Sequence, residues 1–596
     1  MSGPAPSGRP GVTGGRPPEG MEVTLKRTRG VLRLAVLAVL LTPGASVATS
    51  VADGATFDDW RAIAQSDAVS PVKAAPGDLV EQRTGADGRR IRVVVQAPRP
   101  PEAAGTVFVR PPPRGADASA MLMQALQKAR DSGAHRLVLA PGVYRLASRT
   151  RVVDADAALV LRDLQDFTIE GPGATLLVGS VGNGLVISNC QRLRIRGVTI
   201  DYDTPTSGSG LVLEQGGHKV IRLDPGAPAG DKLHQVIVRS NEIDRRFFFG
   251  RKGVAVRNAG GALSAGAAFD KLPAGAPVLL KYHHYQGAAI QVRDANHRHA
   301  TSDLIFERVV IHGSTGAGFD IERMGRGLAL VEVQIRARPK GPPLSVEYDG
   351  VHLTSFAGDL IVRDSLIRDQ GDDAINLSTV VHRVESTTPG ADEIILSHRT
   401  DVIAVGDTLA FFDLSGGYIS QARVRAFLPS DKHRRVKLDR PAPPLALAYA
   451  RNLDLLGRRY VIAGNRIGPC QCHGILAQTP NGVIADNVLS GLRFNAIRLL
   501  TSLKPWKEGA GPFNIAVLNN QIRNTGGDRN RTVPHAAISV YVQNGTYLTT
   551  SPVGSDIAIK GNLMTDVAQG CIHAEGVRNL SLAGNRCTSR SGDRIG

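Results

Sequence analysis

The chain has 596 residues, of which 66 are glycine, 5% are aromatic and 42% are hydrophobic, and its formal net charge at pH 7 is +17. This composition favours many short strands joined by turns over a helical bundle or a disordered chain. The arginines are scattered and form no basic block with interleaved aromatic residues, so the sequence predicts no nucleic-acid binding.

The first 52 residues have the order of a secretory signal. Lys26, Arg27 and Arg29 precede the apolar run Leu34–Leu41, and small residues follow up to Ala52. That run is far shorter than the ~20 residues that span a bilayer, which argues against a transmembrane anchor. We therefore expect no membrane span, and a protein that is secreted or held at the cell surface after the signal peptide is removed.

A helix is predicted early in the mature chain, within residues 114–146. Apolar side chains recur there at helical spacing from Met121 to Ala129, and Gly133 is a stop signal. The segment resembles the entry helix and first strand of the pectate-lyase-like superfamily. We expect this helix to be the N-terminal cap of a solenoid, whose open end needs a cover.

A repeated pattern of an apolar-x-apolar strand, a short turn that often contains Asn or Gly, and a second apolar run follows the helix. Alternation at period two indicates strands with one buried face. A period of 22 to 23 residues with no helix in each unit indicates the coils of a parallel β-helix, and the signature of leucine-rich repeats is absent. The repeats begin at Asp166, Arg192, Asp303, Asp359, Arg459, Gly482, Asn514, Asp556 and Asn579.

Two intervals interrupt the repeats and contain a similar element, a Gly-centred turn that leads into an alternating strand (Leu272–His284 and Ile403–Ser415). We predict an all-β chain, namely a right-handed parallel β-helix of the pectate-lyase-like superfamily, with an N-terminal cap helix and two inserted antiparallel β-barrel-like modules. The predicted divisions are leader and signal peptide 1–52, N-terminal segment 53–113, cap helix and first coils 114–210, insert 211–298, coils with the site 299–379, insert 380–458 and C-terminal coils 459–596.

Five cysteines give an odd count for an exported chain. Cys470 and Cys472 lack the C-x-x-C spacing of redox and zinc sites, and Cys571 with Cys587 is one candidate disulfide pair. The sequence also contains no phosphate-binding loop or nucleophile elbow. It therefore predicts no metal and no cofactor.

Three carboxylates stand out in residues 345–378. Asp349 and Asp372 are one repeat apart, and Asp373 adjoins the second of them. Because coils stack about 4.7–4.9 Å apart, we expect Asp349 and Asp372 to lie on neighbouring rungs. Clustered carboxylates with separated pKa values suit acid/base hydrolysis, and inverting glycosidases keep two of them ~6.5–9.5 Å apart around a water.

These segments resemble two families of glycoside hydrolases. Polygalacturonases of family 28 are similar at four places, namely Tyr348–Gly350, Gly371–Asp373, Cys472–Gly474 and Ile497–Leu499. Family 110, the inverting α-1,3-galactosidases, is more similar, and this resemblance extends from Arg114 to the C-terminus. It is carried by Asp349-Gly-Val-His352, Gly371-Asp-Asp-Ala-Ile-Asn376, Gly474-Ile-Leu-Ala-Gln-Thr479 and Trp506-Lys-Glu508-Gly.

The resemblance implies an exo-acting inverting α-galactosidase that removes terminal α-1,3-linked galactose, with Asp349, Asp372 and Asp373 as the catalytic set. The family 28 pattern makes Asp372 the general acid, whereas family 110 leaves Asp349 as the alternative acid. The chain departs from family 110 at Leu377–Thr379, in place of Val-His-Gly. It also has Leu500 where polygalacturonases have a lysine that grips the uronate carboxylate.

Six further residues are candidates for sugar binding. His352 could either bind the sugar or have a structural role. An exposed Trp506 could stack on a sugar face, and His473 is predicted to be a residue of the coil wall. The candidates are His352, Asn376, Gln478, Arg498, Trp506 and Glu508.

Three other functions remain open at this point. They are a polygalacturonase-like hydrolase, a polysaccharide lyase of uronic-acid polymers and a non-catalytic glycan-binding β-helix. The expected partner is an oligosaccharide or glycan with terminal galactose. The oligomeric state, including a dimer, stays open.

Overall fold

The computed structural model describes residues 57–589, apart from 153–154, 240–244, 251, 295–300, 388–390, 415, 430–433, 443–447, 527–535, 546 and 549–553. The predicted signal peptide lies outside these described residues. Among the described helices, none combines the length and the apolar character that crossing a bilayer would need.

The chain forms a parallel β-helix, as predicted, with three long sheets that we name A, B and C. Sheet A is parallel apart from a short antiparallel strand near each end. Its strands are Thr150–Val152, Ala155–Arg162, Asn183–Ser188, Ala288–Arg293, Ala317–Glu322, Val351–Thr354, Ile375–Ser378, Ile475–Ala477, Ile497–Lys504, Ile538–Asn544, Tyr547–Leu548 and Ile572–Ala574.

Sheets B and C supply the other two walls of each coil. Sheet B consists of Gly105–Val109, Ala134–Leu139, Gln165–Glu170, Gln191–Arg196, Ser302–Glu307, Arg326–Val331, Gly358–Arg363, Tyr460–Ala463, Gly482–Ala485, Phe513–Leu518, Gly554–Lys560 and Val577–Ala583. Sheet C consists of Gly142–Leu146, Ala174–Val178, Thr199–Tyr202, Val310–Ile311, Gln334–Ile335, Leu366–Ile367, Arg466–Ile467, Val488–Leu492, Gln521–Thr525, Leu563–Val567 and Arg586–Ser589.

Apolar side chains from all three sheets fill the lumen, since every second residue of a strand faces inward. At the turn from sheet B to sheet C, the repeated asparagine stacks on its equivalent in the next coil. Each side-chain oxygen accepts the backbone N–H of the preceding rung, at 2.9–3.0 Å along the row. This asparagine ladder consists of Asn465, Asn487, Asn520, Asn562 and Asn585.

The N-terminal end of the lumen is covered by the predicted helix, which spans Ser119–Asp131 and buries Leu122 and Leu126 against the first coils. Before it, a helix at Phe57–Gln65 is followed by the antiparallel strands Leu79–Thr84 and Arg90–Val95. These strands pack on the outer face of sheet B.

The first insert is a seven-stranded antiparallel sheet with a small two-stranded sheet and a 3-10 turn, Gly266–Ala268. The predicted end of this insert at residue 298 is wrong, because Ala288–Arg293 pairs in parallel with strands of sheet A. Alternation cannot distinguish a module strand from a coil strand. The strands are Ser207–Gln215, His218–Leu223, Gln235–Val238, Arg245–Phe248, Arg257–Ala259, Ala262–Ser264 and Pro277–Lys281, with Lys232–Leu233 and Val254–Ala255.

The second insert is a closed barrel of six antiparallel strands with its own apolar core. Short 3-10 helices at Thr400–Val402 and Leu453–Leu455 flank its strands. The strands are Val381–Thr387, Glu393–Ser397, Thr408–Phe412, Tyr418–Leu428, Arg434–Leu438 and Ala448–Asn452. In the last coil, Cys571 and Cys587 form the disulfide that the sequence suggested.

Candidate active site

The candidate site lies along the turns that precede the strands of sheet A and along the outward face of these strands. One outward row runs through Asp320, His352, Asn376, Leu476 and Arg498 on successive rungs. The turns just before these strands carry the predicted carboxylates. The parallel stacking of coils therefore brings residues that are more than a hundred positions apart to one surface.

The pairing of the three aspartates differs from the prediction. Val351 pairs with Ile375, so this coil is 24 residues long and the neighbour of Asp349 on the next rung is Asp373 rather than Asp372. The backbone N–H of Asp373 donates to Asp349 Oδ1 at 3.1 Å. The 23-residue spacing of other coils misled the prediction by one residue, because coil length varies with the turn.

The same interaction continues to the next coil. The backbone N–H of His473 donates to Asp373 Oδ1 at 2.9 Å, and that of Asn495 donates to His473 Nδ1 at 3.2 Å. Asp349 and Asp373 are 7% and 6% exposed, so this site ladder holds two buried carboxylates in fixed orientations.

Asp372 is only half-buried, unlike its two partners. Burial, followed by the charges of Asp373 and Asp372, raises the pKa of Asp349 well above its usual value. Burial and the Asp372 charge raise the pKa of Asp373 to about 7, against hydrogen bonds from Cys472 and His473. The three carboxyl groups therefore do not all carry a charge near neutral pH.

The first insert reaches this cluster through a segment that the sequence analysis did not select. The hydroxyl of Tyr285 lies 3.5 Å from Asp372 Oδ2, and its ring stacks on Tyr348 with 3.6 Å between centroids. The Tyr285 side chain is 60% exposed, so this hydroxyl lies at the solvent edge of the cluster, where the negative charge of Asp372 favours its neutral form. Below it, Lys281 Nζ lies 3.7 Å from the centroid of the Tyr348 ring.

His352 lies between Asp320 and Thr354. Its Nδ1 is 3.3 Å from Asp320 Oδ1, and its Nε2 is 3.1 Å from Thr354 Oγ1. Burial alone would lower the pKa of His352, but the hydrogen bond with Asp320, whose own pKa is lowered, raises it. His352 is therefore a cation beside the carboxylates, and it lines the same cleft as Asp349.

A second polar cluster lies on the C-terminal side of the carboxylates. Gln478 Nε2 donates to Glu508 Oε2 at 3.0 Å and lies 3.5 Å from Asn376 Oδ1. Arg498 Nη1 lies 2.8 Å from His473 Nε2. His473 is thus part of the coil wall, as predicted, and also links Asp373 to the arginine.

Trp506 is the predicted sugar-binding residue that the structure does not bring into this cluster. Its side chain is 65% exposed, while Glu508 of the same loop reaches Gln478. The loop is held by paired backbone hydrogen bonds between Ser502 and Glu508. Glu508 therefore joins the polar cluster of Gln478 and Asn376, and Trp506 remains in solvent.

Asp373, Cys472 and His473 each offer a ligand atom within 4.8 Å of the others, the kind of arrangement that can hold a metal. Both ring nitrogens of His473 are already close to protein donors, from Asn495 and Arg498. The arrangement fits a hydrogen-bond network, because a cation here would face the guanidinium of Arg498.

The chain resembles curated α-1,3-galactosidases, as the sequence predicted. It is 21% identical over 466 residues to alpha-1,3-galactosidase A of Bacteroides fragilis, covering 72% of this chain and 74% of the relative. Among solved structures, an exopolygalacturonase from Thermotoga maritima aligns with a TM-score of 0.35 at 12% identity, over 84% of this chain and 94% of the other.

A family 28 exopolygalacturonase from Yersinia enterocolitica aligns with a TM-score of 0.33 at 12% identity, over 88% of this chain and 86% of the other. No family model matches the chain.

Proposed function

We propose that the protein is an exo-acting, inverting α-galactosidase that releases terminal α-1,3-linked galactose from a glycan. The observation that carries this proposal is the carboxylate cluster: two buried aspartates held on adjacent rungs, and a third, half-buried one beside them. The similarity to proteins named alpha-1,3-galactosidase A supports the choice of sugar and linkage.

In the proposed reaction, Asp349 and Asp373 hold the attacking water. Each uses Oδ1 to accept a backbone N–H, which fixes the orientation of the carboxyl group that contacts the water. Asp373, with a pKa of about 7, is suited to take the water proton near neutral pH. The water oxygen bonds to the anomeric carbon from the face opposite the leaving oxygen, so an α-linkage yields β-galactose.

Asp372 is the proposed general acid. Asp349, whose pKa is raised well above its usual value, brings a proton into the cluster, and this proton passes to Asp372 when the substrate binds. Asp372 transfers it to the glycosidic oxygen as the bond to the anomeric carbon breaks. Its half-buried position and its contact with Tyr285 support this role, since the leaving group must depart toward solvent.

The proposal is tested with Asp349→Asn, Asp372→Asn and Asp373→Asn. Each is expected to lower kcat on α-1,3-galactobiose, whose sugar leaving group needs protonation, by about 10²- to 10⁴-fold, the usual contribution of acid/base groups. The matched control is Asp364→Asn, an exposed turn residue of the same coil, which should retain activity. Near-wild-type turnover in any two of the three site variants would contradict the proposal.

The assignment of the acid has its own test. α-Galactosyl fluoride needs little protonation of its leaving group, so Asp372→Asn should recover most of its lost rate on this substrate. Asp349→Asn and Asp373→Asn should stay slow. Recovery in Asp349→Asn instead would make Asp349 the acid.

We also propose that the protein is exported by the signal in residues 1–52. The charged segment, short apolar run and small residues support this proposal. Expression of the full chain in a bacterial host, with the mass of the extracytoplasmic product measured, tests it. A product that retains the apolar run Leu34–Leu41 and stays in the cytoplasm would contradict export.

A further inference from the structure

A cleft of about 770 Å³ adjoins the carboxylates on the N-terminal side of the site. Its floor is the outward face of sheet A, where Gln291, Asp320 and His352 occupy successive rungs. Both inserts contribute to its walls, the first through Tyr285–Gly287 and the second through Arg399. The size lies within the ~300–1,000 Å³ range of ligand pockets.

Two buried acceptors in this cleft lack a hydrogen bond. Gln291 is 4% exposed, and its Nε2 donates to Asp320 Oδ2 at 2.9 Å, but its Oε1 has no hydrogen-bond partner among the described residues. Glu322 is 6% exposed, and its Oε2 also lacks a hydrogen bond within that part of the chain. Glu322 Oε2 is partly compensated by Arg293 Nη1, 3.5 Å away, but leaving Gln291 Oε1 unsatisfied costs about 1–3 kcal/mol, which indicates a ligand that brings a donor.

Three cations of the cleft are paired with neighbouring acids, whereas Arg149 donates to neutral oxygens, Ser180 Oγ and the carbonyl of Asp156. Arg399 Nη2 donates to Glu322 Oε1 at 2.9 Å, and Arg293 Nη1 lies 3.5 Å from Glu322 Oε2. His352 faces Asp320. A uronate carboxylate would have to compete with these acids for Arg399, Arg293 and His352, whereas neutral hydroxyl groups can donate to the acceptors without displacing them.

We propose that this cleft is the subsite for the terminal sugar that is released, and that it selects a neutral hexopyranose over a uronic acid. Gln291 Oε1 and Glu322 Oε2 accept hydroxyl groups of that sugar. The cleft takes a chain end because both inserts wall it, whereas the opposite side of the carboxylates carries the exposed Trp506. The statement that the sugar in this cleft is the one released by hydrolysis rests on the proposed function.

The kinetic test uses two substrates that share a terminal galactose and differ in the leaving group attached to it, 4-nitrophenyl α-galactoside and α-1,3-galactobiose. Gln291→Ala and Glu322→Gln should lower kcat/KM by about tenfold on both, in equal proportion, as loss of one hydroxyl hydrogen bond in a buried site would. Gln124→Ala, on the exposed face of the cap helix, is the matched control and should change neither. A loss confined to galactobiose, or none, would overturn the assignment.

The binding test does not depend on turnover. Calorimetric titration of the Asp372→Asn protein with D-galactose and with D-galacturonate should give affinity for galactose at least tenfold higher. Adding Gln291→Ala should remove most galactose binding. Absence of galactose binding, or equal or tighter binding of galacturonate, would overturn the inference. If the wild-type protein hydrolyses neither galactoside while galactose still binds through Gln291, the proposed function fails and the cleft assignment stands.

Discussion

Two ladders of stacked polar side chains run along this β-helix, and they differ in chemistry more than in geometry. In the asparagine ladder, each amide accepts from one rung and donates to others, so that Asn487 is fully buried with all of its polar atoms paired. In the site ladder, Asp349 and Asp373 accept a backbone N–H but have no donor to return when ionised. The same stacking therefore stabilises one turn and leaves buried carboxyl groups at the other.

The largest stability effect is expected in the asparagine ladder. Asn487→Ala removes an amide that bonds to Asn465, Asn520 and the carbonyl of Ile462. The partners left unpaired should lower the free energy of unfolding by about 1–3 kcal/mol. Chemical denaturation measures this loss, with the exposed Asn258→Ala as the control. Hydrolysis should be unchanged at temperatures where the variant is folded, and an unaffected stability would break the comparison.

The opposite result is expected in the site ladder. Asp373→Asn removes a buried charge next to Asp349 and Asp372, so it should raise the free energy of unfolding at pH 7, on the order of 1 kcal/mol, while it abolishes activity. A loss of stability as large as that of Asn487→Ala would show that the two ladders have the same structural role.

The pH dependence of stability sharpens this comparison. The pKa of Asp373 is about 7 when folded and near 3.8 when unfolded, so between these values the folded state binds the extra proton. Stability contributed by the protonated group is complete below the unfolded pKa and is lost as pH rises from about 4 to 7. Denaturation across this range should show a smaller decline for Asp373→Asn than for the wild type. Parallel curves would contradict the buried-proton account.

The smallest effect concerns Tyr285. Tyr285→Phe keeps the stacking on Tyr348 but removes the hydroxyl near Asp372. We expect a several-fold fall in kcat with little change in KM, together with a shift of the acidic or basic limb of the pH–rate profile. Tyr285→Ala, which also removes the ring, should change KM as well. Identical profiles for the phenylalanine variant and the wild type would remove Tyr285 from the site.

The sequence predicted the β-helix because alternation and turn asparagines recur in each coil, and these features depend only on local chemistry. It also predicted that the three aspartates lie close together, since their types and near-repeat spacing are visible in one stretch. It could not predict that Asp349 pairs with Asp373, because one added turn residue changes the register. Tyr285 and Gln291 were missed since they approach the site only after the first insert folds back.

The boundary of the first insert shows the same limit. The strand Ala288–Arg293 alternates like the strands of the insert, and only its parallel pairing assigns it to sheet A. Tertiary contacts also separate the two candidates on one loop, since Glu508 reaches Gln478 while Trp506 remains in solvent. Local sequence carries no signal for either distinction.

The central claim is that stacked coils position three carboxyl groups to hydrolyse an α-galactosidic bond with inversion. The most direct measurement is proton NMR of α-1,3-galactobiose during the first minutes of reaction with the wild-type protein and with Asp373→Asn. The account predicts that β-galactose appears first with the wild type and that none forms with the variant. Release of α-galactose first, or equal turnover by the variant, would contradict it.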